Sequence, residues 1–508
     1  MTLSTHTPST RTSSGDASRR VTLRVGGLSQ LGGLDVRTAD DSVSSMILCE
    51  IFEPLYGITE ADHLEPVLAD ALPVREGGSV SNPVYSIGLK PGVCFSDGTP
   101  LTPEIFARCL ASQSDVAARA QVTVRNGRLL FTLMRPNPNF QHYLTQSFTS
   151  VFLERGGHFL GTGPFQFEPG KTPDQLLRAN PLVLVRNPRY RFADRVTLDA
   201  IEFTSYPASA GGGTERLLDA VRNGLVDFTY SLTSVDAAAL AGQPFIPSIS
   251  TSNATGLLHF QCEKPALRDP AVRRAICHAI DRRAIAGVTY RRNPLAYAAT
   301  GLLPPLMGKD PDDLRYEPGR VAELKKTVSL PSKLTLTLTW APRPYLPNPR
   351  ETGEVIARQL HAIGIEVQVV QSSNRDDFFQ RMKHGTFELC LAGWIADTAD
   401  PADFYDALLH SDSIPGGPKM SATANNMSRY RSAEMDAALK VFRGDPSTAN
   451  RNAVTSLLGR DAPLLPLIYG QAVAIYRRGI IGFRPSPLGR STLSQLQFPP
   501  DRPTLGRR

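Results

Sequence analysis

Two short segments carry residue types that could do chemistry. Trp340-Ala341-Pro342-Arg343-Pro344-Tyr345 sets an arginine a few residues past an apolar run at 334–338. Gly393-Trp394-Ile395-Ala396-Asp397 sets an aspartate just past another, at 387–392. Arginine presents a planar donor fork that matches a carboxylate bidentately. Aspartate accepts hydrogen bonds from an ammonium group. A cation and an anion held on neighbouring strand ends suit a ligand that is itself a zwitterion, such as a short peptide with free termini. In a closed, water-poor cleft each contact strengthens, and a ligand lacking one terminus strands a buried charge. By type alone, other roles stay open. Arg343 could pair with a surface carboxylate. Asp397 could be a turn residue or a helix N-cap, since Asp400-Pro401 also marks a helix start. Trp394 could be plain core.

The elements that must position this pair read as strand, helix, strand, helix, strand. Residues 334–338 alternate as a strand. Ile356, Leu360 and Ile363 mark one face of a helix that ends at Gly364. Residues 365–370 and 387–392 are strands with a helical stretch between them. Such a βαβαβ unit makes a parallel sheet. Ligands of open α/β sheets bind outside the carboxyl ends of the strands, which is the physical reason to group Arg343 with Asp397.

The rest of the chain reads as α/β too. Strands are expected at 21–25, 84–89, 128–134, 182–185 and 201–203, and a new region begins with a strand at 257–261. Apolar residues at helical spacing predict a helix within 45–56 and another at 214–223. Thr102-Pro103 and Asp269-Pro270 are N-cap and first-turn pairs. Val272, Ile276, Ala279 and Ile280 then line one helical face. Asp97 and Asp227 read as fold residues in turns. Gly211-Gly212-Gly213 lacks a following G-K-[ST], so it is a connector and not a phosphate cradle.

A chain of 508 residues exceeds one hydrophobic core, so two or three domains are expected. The net charge of +7 is spread along the sequence and is not gathered into a nucleic-acid patch. The six cysteines form no C-x-x-C pair and read as buried thiols. The nine histidines are scattered, with no metal-ligand spacing, so no metal and no cofactor is expected. No apolar window reaches membrane-spanning length. Residues 1–20 are Ser/Thr-rich and read as a disordered tail without an apolar signal-peptide segment. Met46-Ile47-Leu48-Cys49 lacks the flanks of a lipoprotein site. No G-x-S-x-G or nucleophile–base spacing appears, so no enzyme is expected.

Several ordered motifs carry a resemblance over about 21–505. They are YSIGLKPGVCFSDGTPLTP at 85–103, GTGPF at 161–165, RNPRY at 186–190 and NGLVD at 223–227. A helix follows at 268–285 (RDPAVRRAICHAIDRRAI), then 302–308 and GFRPSPLG at 482–489. In this order they resemble the extracytoplasmic solute-binding proteins that serve peptide ABC importers (family 5), and within them the dipeptide-binding proteins. The resemblance implies a periplasmic-binding-protein-like α/β fold of two lobes with a hinge. Lobe one would span 21–255 plus 474–505, with an extra subdomain within about 50–160. Lobe two would span 256–473. It implies a monomer that binds short peptides, dipeptides in particular, and delivers them to an ABC permease and its ATPase subunits, with no nucleic acid and no direct membrane insertion. By position, Arg343 would bind the peptide carboxylate and Asp397 the α-amino group, with Trp394 packing beside the peptide and Tyr345 a further contact. The implied location is periplasmic. The alternatives are a cytoplasmic sensor of the same fold, or a binder of a nickel chelate, haem, sugar or opine.

Overall fold

A computed structural model describes residues 20–38, 42–59, 63–79, 82–117, 119–134, 137, 140–207, 212–240, 242–290, 297–339, 343, 345–396, 400–416, 425–484 and 493–498. The expected disordered tail, apart from Arg20, and Asp397 lie outside them.

The architecture is α/β around one ten-stranded sheet. Its strands, in chain order, are β1 (Thr22–Gly27), β2 (Phe165–Phe167), β3 (Leu182–Arg186), β4 (Ala200–Ser205) and β5 (Phe228–Thr229). They continue with β6 (Phe245–Phe260), β7 (Lys333–Leu338), β8 (Glu366–Gln371), β9 (Leu389–Ile395) and β10 (Leu464–Arg477). The spatial order is β2-β3-β4-β1-β5-β10-β6-β9-β7-β8. β1 runs parallel to both β4 and β5 at one end. β7 runs parallel to both β8 and β9 at the other, as the βαβαβ pattern predicts.

Two long antiparallel strands, β6 and β10, join these halves. Their pairing runs from Phe245↔Arg477 to Thr251↔Gln471, breaks, and resumes at Thr255↔Tyr469. The break leaves Ser252, Asn253 and Ala254 out of the ladder with β10, a bulge that bends the strand. The apolar core divides on either side of it. One cluster draws on Leu23, Val25, Phe52, Phe106, Phe131, Ile201 and Leu493. Others draw on Leu258, Ile276, Leu336, Ile356 and Leu391 or on Leu257, Phe404, Leu439 and Leu464. A separate four-stranded antiparallel sheet is formed by Val74–Gly78, Pro83–Ile87, Arg128–Leu133 and Ala120–Arg125.

Local chemistry explains most boundaries. Thr102 caps the helix Pro103–Ala111 by accepting from the Ile105 amide at 3.3 Å. Asp269 caps Pro270–Ala279 through the Ala271 amide at 2.8 Å. Three expectations change. The helix expected within 45–56 is Ser42–Leu48, and the chain turns before Pro54 to reach the short strand Tyr56–Ile58. The helical motif at 268–285 is two helices, because Asp281 caps a second one, Arg282–Thr289, through the Arg283 amide at 2.9 Å. The strand expected from 257 starts twelve residues earlier, at Phe245. Pro247 and four serines and threonines between 248 and 252 hide its first half from pattern reading.

Candidate functional site

β7 and β9 are adjacent and parallel, with Leu338 in register with Leu391, so their carboxyl ends lie side by side. Past β7 the chain forms a tight turn. The Arg343 amide donates to the Leu346 carbonyl at 3.0 Å, and the Leu346 amide returns to the Arg343 carbonyl at 2.8 Å. This turn presses Tyr345 down onto the sheet, where it is 9% exposed.

Three glycines on three neighbouring strands make that possible. A Cβ on Gly393 of β9 would lie 2.6 Å from the Tyr345 ring. On Gly256 of β6 it would lie 2.7 Å from the Tyr345 carbonyl, and on Gly470 of β10 it would lie 3.3 Å from the Tyr345 Cβ. Gly256 and Gly393 are register partners. A side chain on Gly256 or Gly393 would lift Tyr345, and Arg343 with it, whereas one on Gly470 would first meet Ser252 and Ala254. Burial raises the Tyr345 phenol pKa, and the nearby Arg343 charge opposes that rise, which ties the guanidinium to the same neighbourhood. Arg343 itself is half-buried.

Strand alternation separates Trp394 from Tyr345. Leu389 and Leu391 share a cluster with Tyr345 on one sheet face. Trp394 and Ala396 pack with Leu257 and Phe404 on the other. Arg343 and Tyr345 are therefore brought together, while Trp394 stands across the sheet with its ring half-buried. Ile395 points to the Tyr345 face and is 42% exposed, an apolar side chain at the strand end that residue types did not single out.

Asp397 is outside the described residues, yet its approach is described. The Ala396 amide donates to the Asn253 carbonyl at 2.8 Å, so the end of β9 is tied to the break in β6. The N-cap of the next helix, Pro401–Leu409, is Asp400, which accepts from the Ala402 amide at 3.0 Å. That role is thus filled by another aspartate.

Residue patterns missed the β6 break as a polar site. Ser250 and Ser252 each bury a hydroxyl with no hydrogen-bond partner among the described residues, and Asn253 buries both amide atoms in that state. Trp394 Nε1 is also buried and unpartnered among the described residues. A hydrophobicity pattern shows only a polar interruption in a strand. The orphaning of these atoms is a property of packing.

The remaining candidates are fold residues. Asp227 is fully buried and is held by Arg24 at 2.8 Å and Arg477 at 3.3 Å. Asp97 accepts from the Thr99 amide at 2.8 Å within its turn and pairs with Arg155 at 2.7 Å. Cys109, Cys277 and Cys390 are buried, whereas Cys49, Cys94 and Cys262 are only partly so. Among the described residues, no group of three His, Cys, Asp or Glu side chains is placed to hold a metal ion. No described helix is long and apolar enough to cross a membrane.

Comparison with known proteins places this arrangement. The glutathione-binding protein GsiB of Salmonella typhi is 22% identical over 498 residues, covering 92% of each chain. A dipeptide-binding protein of Pseudoalteromonas sp. SM9913, solved with Met-Leu, superposes with a TM-score of 0.77 at 19% identity. That match covers 94% of this chain and 100% of the other. NikA of Staphylococcus aureus, solved with Ni(L-His)2, gives a TM-score of 0.73 at 16% identity, with 94% and 100% coverage. Residues 64–416, more than half of the chain, match the model for bacterial extracellular solute-binding proteins, family 5 Middle. With its two parallel units joined by a pair of crossing strands, the chain belongs to family 5 of the bacterial extracellular solute-binding proteins, a family of binding proteins and not of enzymes.

Proposed function

We propose that this protein captures short peptides with free termini, dipeptides in particular, and hands them to an ABC importer. The observation that carries this reading is the adjacency of β7 and β9. Arg343 follows one strand end and Asp397 comes, in sequence, two residues after the other, so this reading puts a cation and an anion on the same edge of one sheet. Arg343 takes the ligand carboxylate and Asp397 its ammonium group. Tyr345 supports Arg343 from below, and Trp394 borders the site from the opposite face.

The lobes on this reading are 21–255 with 474–505 and 256–473, hinged where β6 and β10 lose register. Ligand bridging the lobes favours the closed form by its differential affinity for it. The Met-Leu complex of the Pseudoalteromonas protein supports a dipeptide. The glutathione-binding relative supports small peptides more broadly. The nickel–histidine neighbour marks the rival ligand class, in which the amino groups are engaged by the metal and no free ammonium remains for Asp397.

Calorimetry separates these. A dipeptide should bind, and its N-acetyl and C-amide forms should bind at least about 30-fold more weakly, because each leaves a desolvated charge unpaired. Arg343→Ala should remove the penalty for amidation, and Asp397→Ala the penalty for acetylation. Unaltered dipeptide affinity in both variants defeats the site assignment. Tight binding of nickel–histidine with no response to dipeptides defeats the peptide reading.

A further inference from the structure

Asn253 occupies the break in β6 where pairing with β10 is lost. The β6–β9 ladder sets Thr255 opposite Trp394 and Ala254 opposite Ile395, which brings Asn253 opposite Ala396. The bond from the Ala396 amide to the Asn253 carbonyl confirms that placement and leaves Asn253 across from the residue preceding Asp397. Asn253 and Thr255 share a sheet face, and Trp394 shares it with Thr255. Asn253 is 1% exposed, and neither its Nδ2 nor its Oδ1 has a partner among the described residues. The Trp394 Nε1 is likewise sealed from solvent without one among the described residues.

Buried polar groups are nearly always satisfied, so an orphaned carboxamide on the same sheet face as an orphaned indole N–H calls for an occupant. The set offers donors from Asn253 Nδ2 and Trp394 Nε1 and an acceptor from Asn253 Oδ1. A trans peptide amide presents its carbonyl oxygen on one edge and its N–H on the other, which suits a donor and an acceptor held on two different residues. The set also sits beside the segment that would hold the ligand's ammonium group, one residue from the first peptide bond.

We propose that Asn253 and Trp394 read the interior amide of the ligand. The Trp394 N–H donates to its carbonyl, and Asn253 Oδ1 accepts from its N–H on the opposite edge. The assignment rests on the peptide reading above and adds to it. The terminal charges select a zwitterion, whereas Asn253 selects an amide among zwitterions. Amino acids and esters of similar shape would then be discriminated against by hydrogen bonding and not by size.

The test uses the full chain with alanyl-alanine and its ester analogue, alanyl-lactate, which keeps both charged termini and loses only the N–H. Calorimetry on the unaltered protein should show the amide favoured by about tenfold or more, since the ester leaves a buried acceptor unpaired. In Asn253→Leu that ratio should fall to within about twofold, while N-acetylation remains as damaging as before. Trp394→Phe should weaken amide and ester alike and keep their ratio. Asn253→Ser, which retains a small polar side chain, guards against a folding defect in the leucine variant and should also lose the discrimination. An unchanged amide-to-ester ratio in both Asn253 variants overturns the assignment and leaves these atoms to trapped water. Failure of the unaltered protein to bind alanyl-alanine overturns the peptide reading itself, and the assignment with it.

Discussion

The Tyr345 ring lies directly over Gly393, so closely that a Cβ on the glycine would come within 2.6 Å of two ring carbons and 2.5 Å of the Thr255 carbonyl. The contact couples the turn carrying Arg343 to the strand leading to Asp397. Gly393→Ala should therefore act on binding as well as on stability. We expect a loss of about 1–3 kcal/mol from overpacking, read by urea denaturation, with dipeptide affinity falling about tenfold or more. Unchanged values for both would mean that Tyr345 is free to move and does not hold Arg343.

Arg343→Lys keeps the charge and removes the planar fork. A bidentate carboxylate contact should then weaken by about 1–2 kcal/mol, roughly tenfold in Kd. The dipeptide amide, which offers no carboxylate, should bind the two proteins alike. Titration of acid and amide against each protein forms a double-mutant cycle. A zero coupling term would remove Arg343 from the carboxylate site.

His259 is fully buried, and its Nδ1 lies 3.2 Å from the Ser428 hydroxyl. Burial pushes its pKa down from 6.5 to about 3. The folded state thus keeps this ring neutral while the unfolded chain protonates it. Its contribution to stability is complete above pH 6.5 and is lost as pH falls from there toward 3. Between pH 6.5 and 5 that amounts to about 2 kcal/mol. His259→Gln should flatten the acid limb of the urea-stability profile by about this amount, and an unchanged limb would place the acid sensitivity elsewhere.

Glu50 works in the opposite sense. It is fully buried and accepts amide hydrogen bonds from Leu493 at 2.6 Å and Ser494 at 3.2 Å. Desolvation still wins, and its pKa rises from 4.5 to about 7. The folded state binds this proton more tightly than the unfolded chain, so stability declines as pH rises from 4.5 through 7. Glu50→Gln should remove a decline of about 2–3 kcal/mol over that range, measured by denaturation at pH 5 and pH 8. A slope that survives the substitution would show that Glu50 is ionised throughout.

Much of this was legible in the sequence. The βαβαβ unit was readable because apolar spacing of 2 and 3.6 residues is a local property, and β7, β8 and β9 have it. The capped helix at Pro270 was readable because a cap is a short-range hydrogen bond. The pair Arg343 and Asp397 stood out through residue type and position past apolar runs. Asp400, and not Asp397, proved to be the helix cap, which only the backbone conformation reveals.

Long-range packing decided the rest. The crossing strands β6 and β10 escaped pattern reading, because a strand that runs through a break in its pairing changes its neighbours halfway and keeps no single apolar face. Trp394 and Tyr345 were each expected beside the peptide. The two-residue period of β9 puts them on opposite faces of the sheet. The glycine floor joins residues 256, 393 and 470, which no local signal connects. By itself the sequence determined the βαβαβ elements, the family and the charged residues past its strands, because those depend on neighbours along the chain. Only the tertiary structure decided what lies beneath Arg343, and which polar groups are buried without partners. Both depend on surfaces that meet only when distant strands come together.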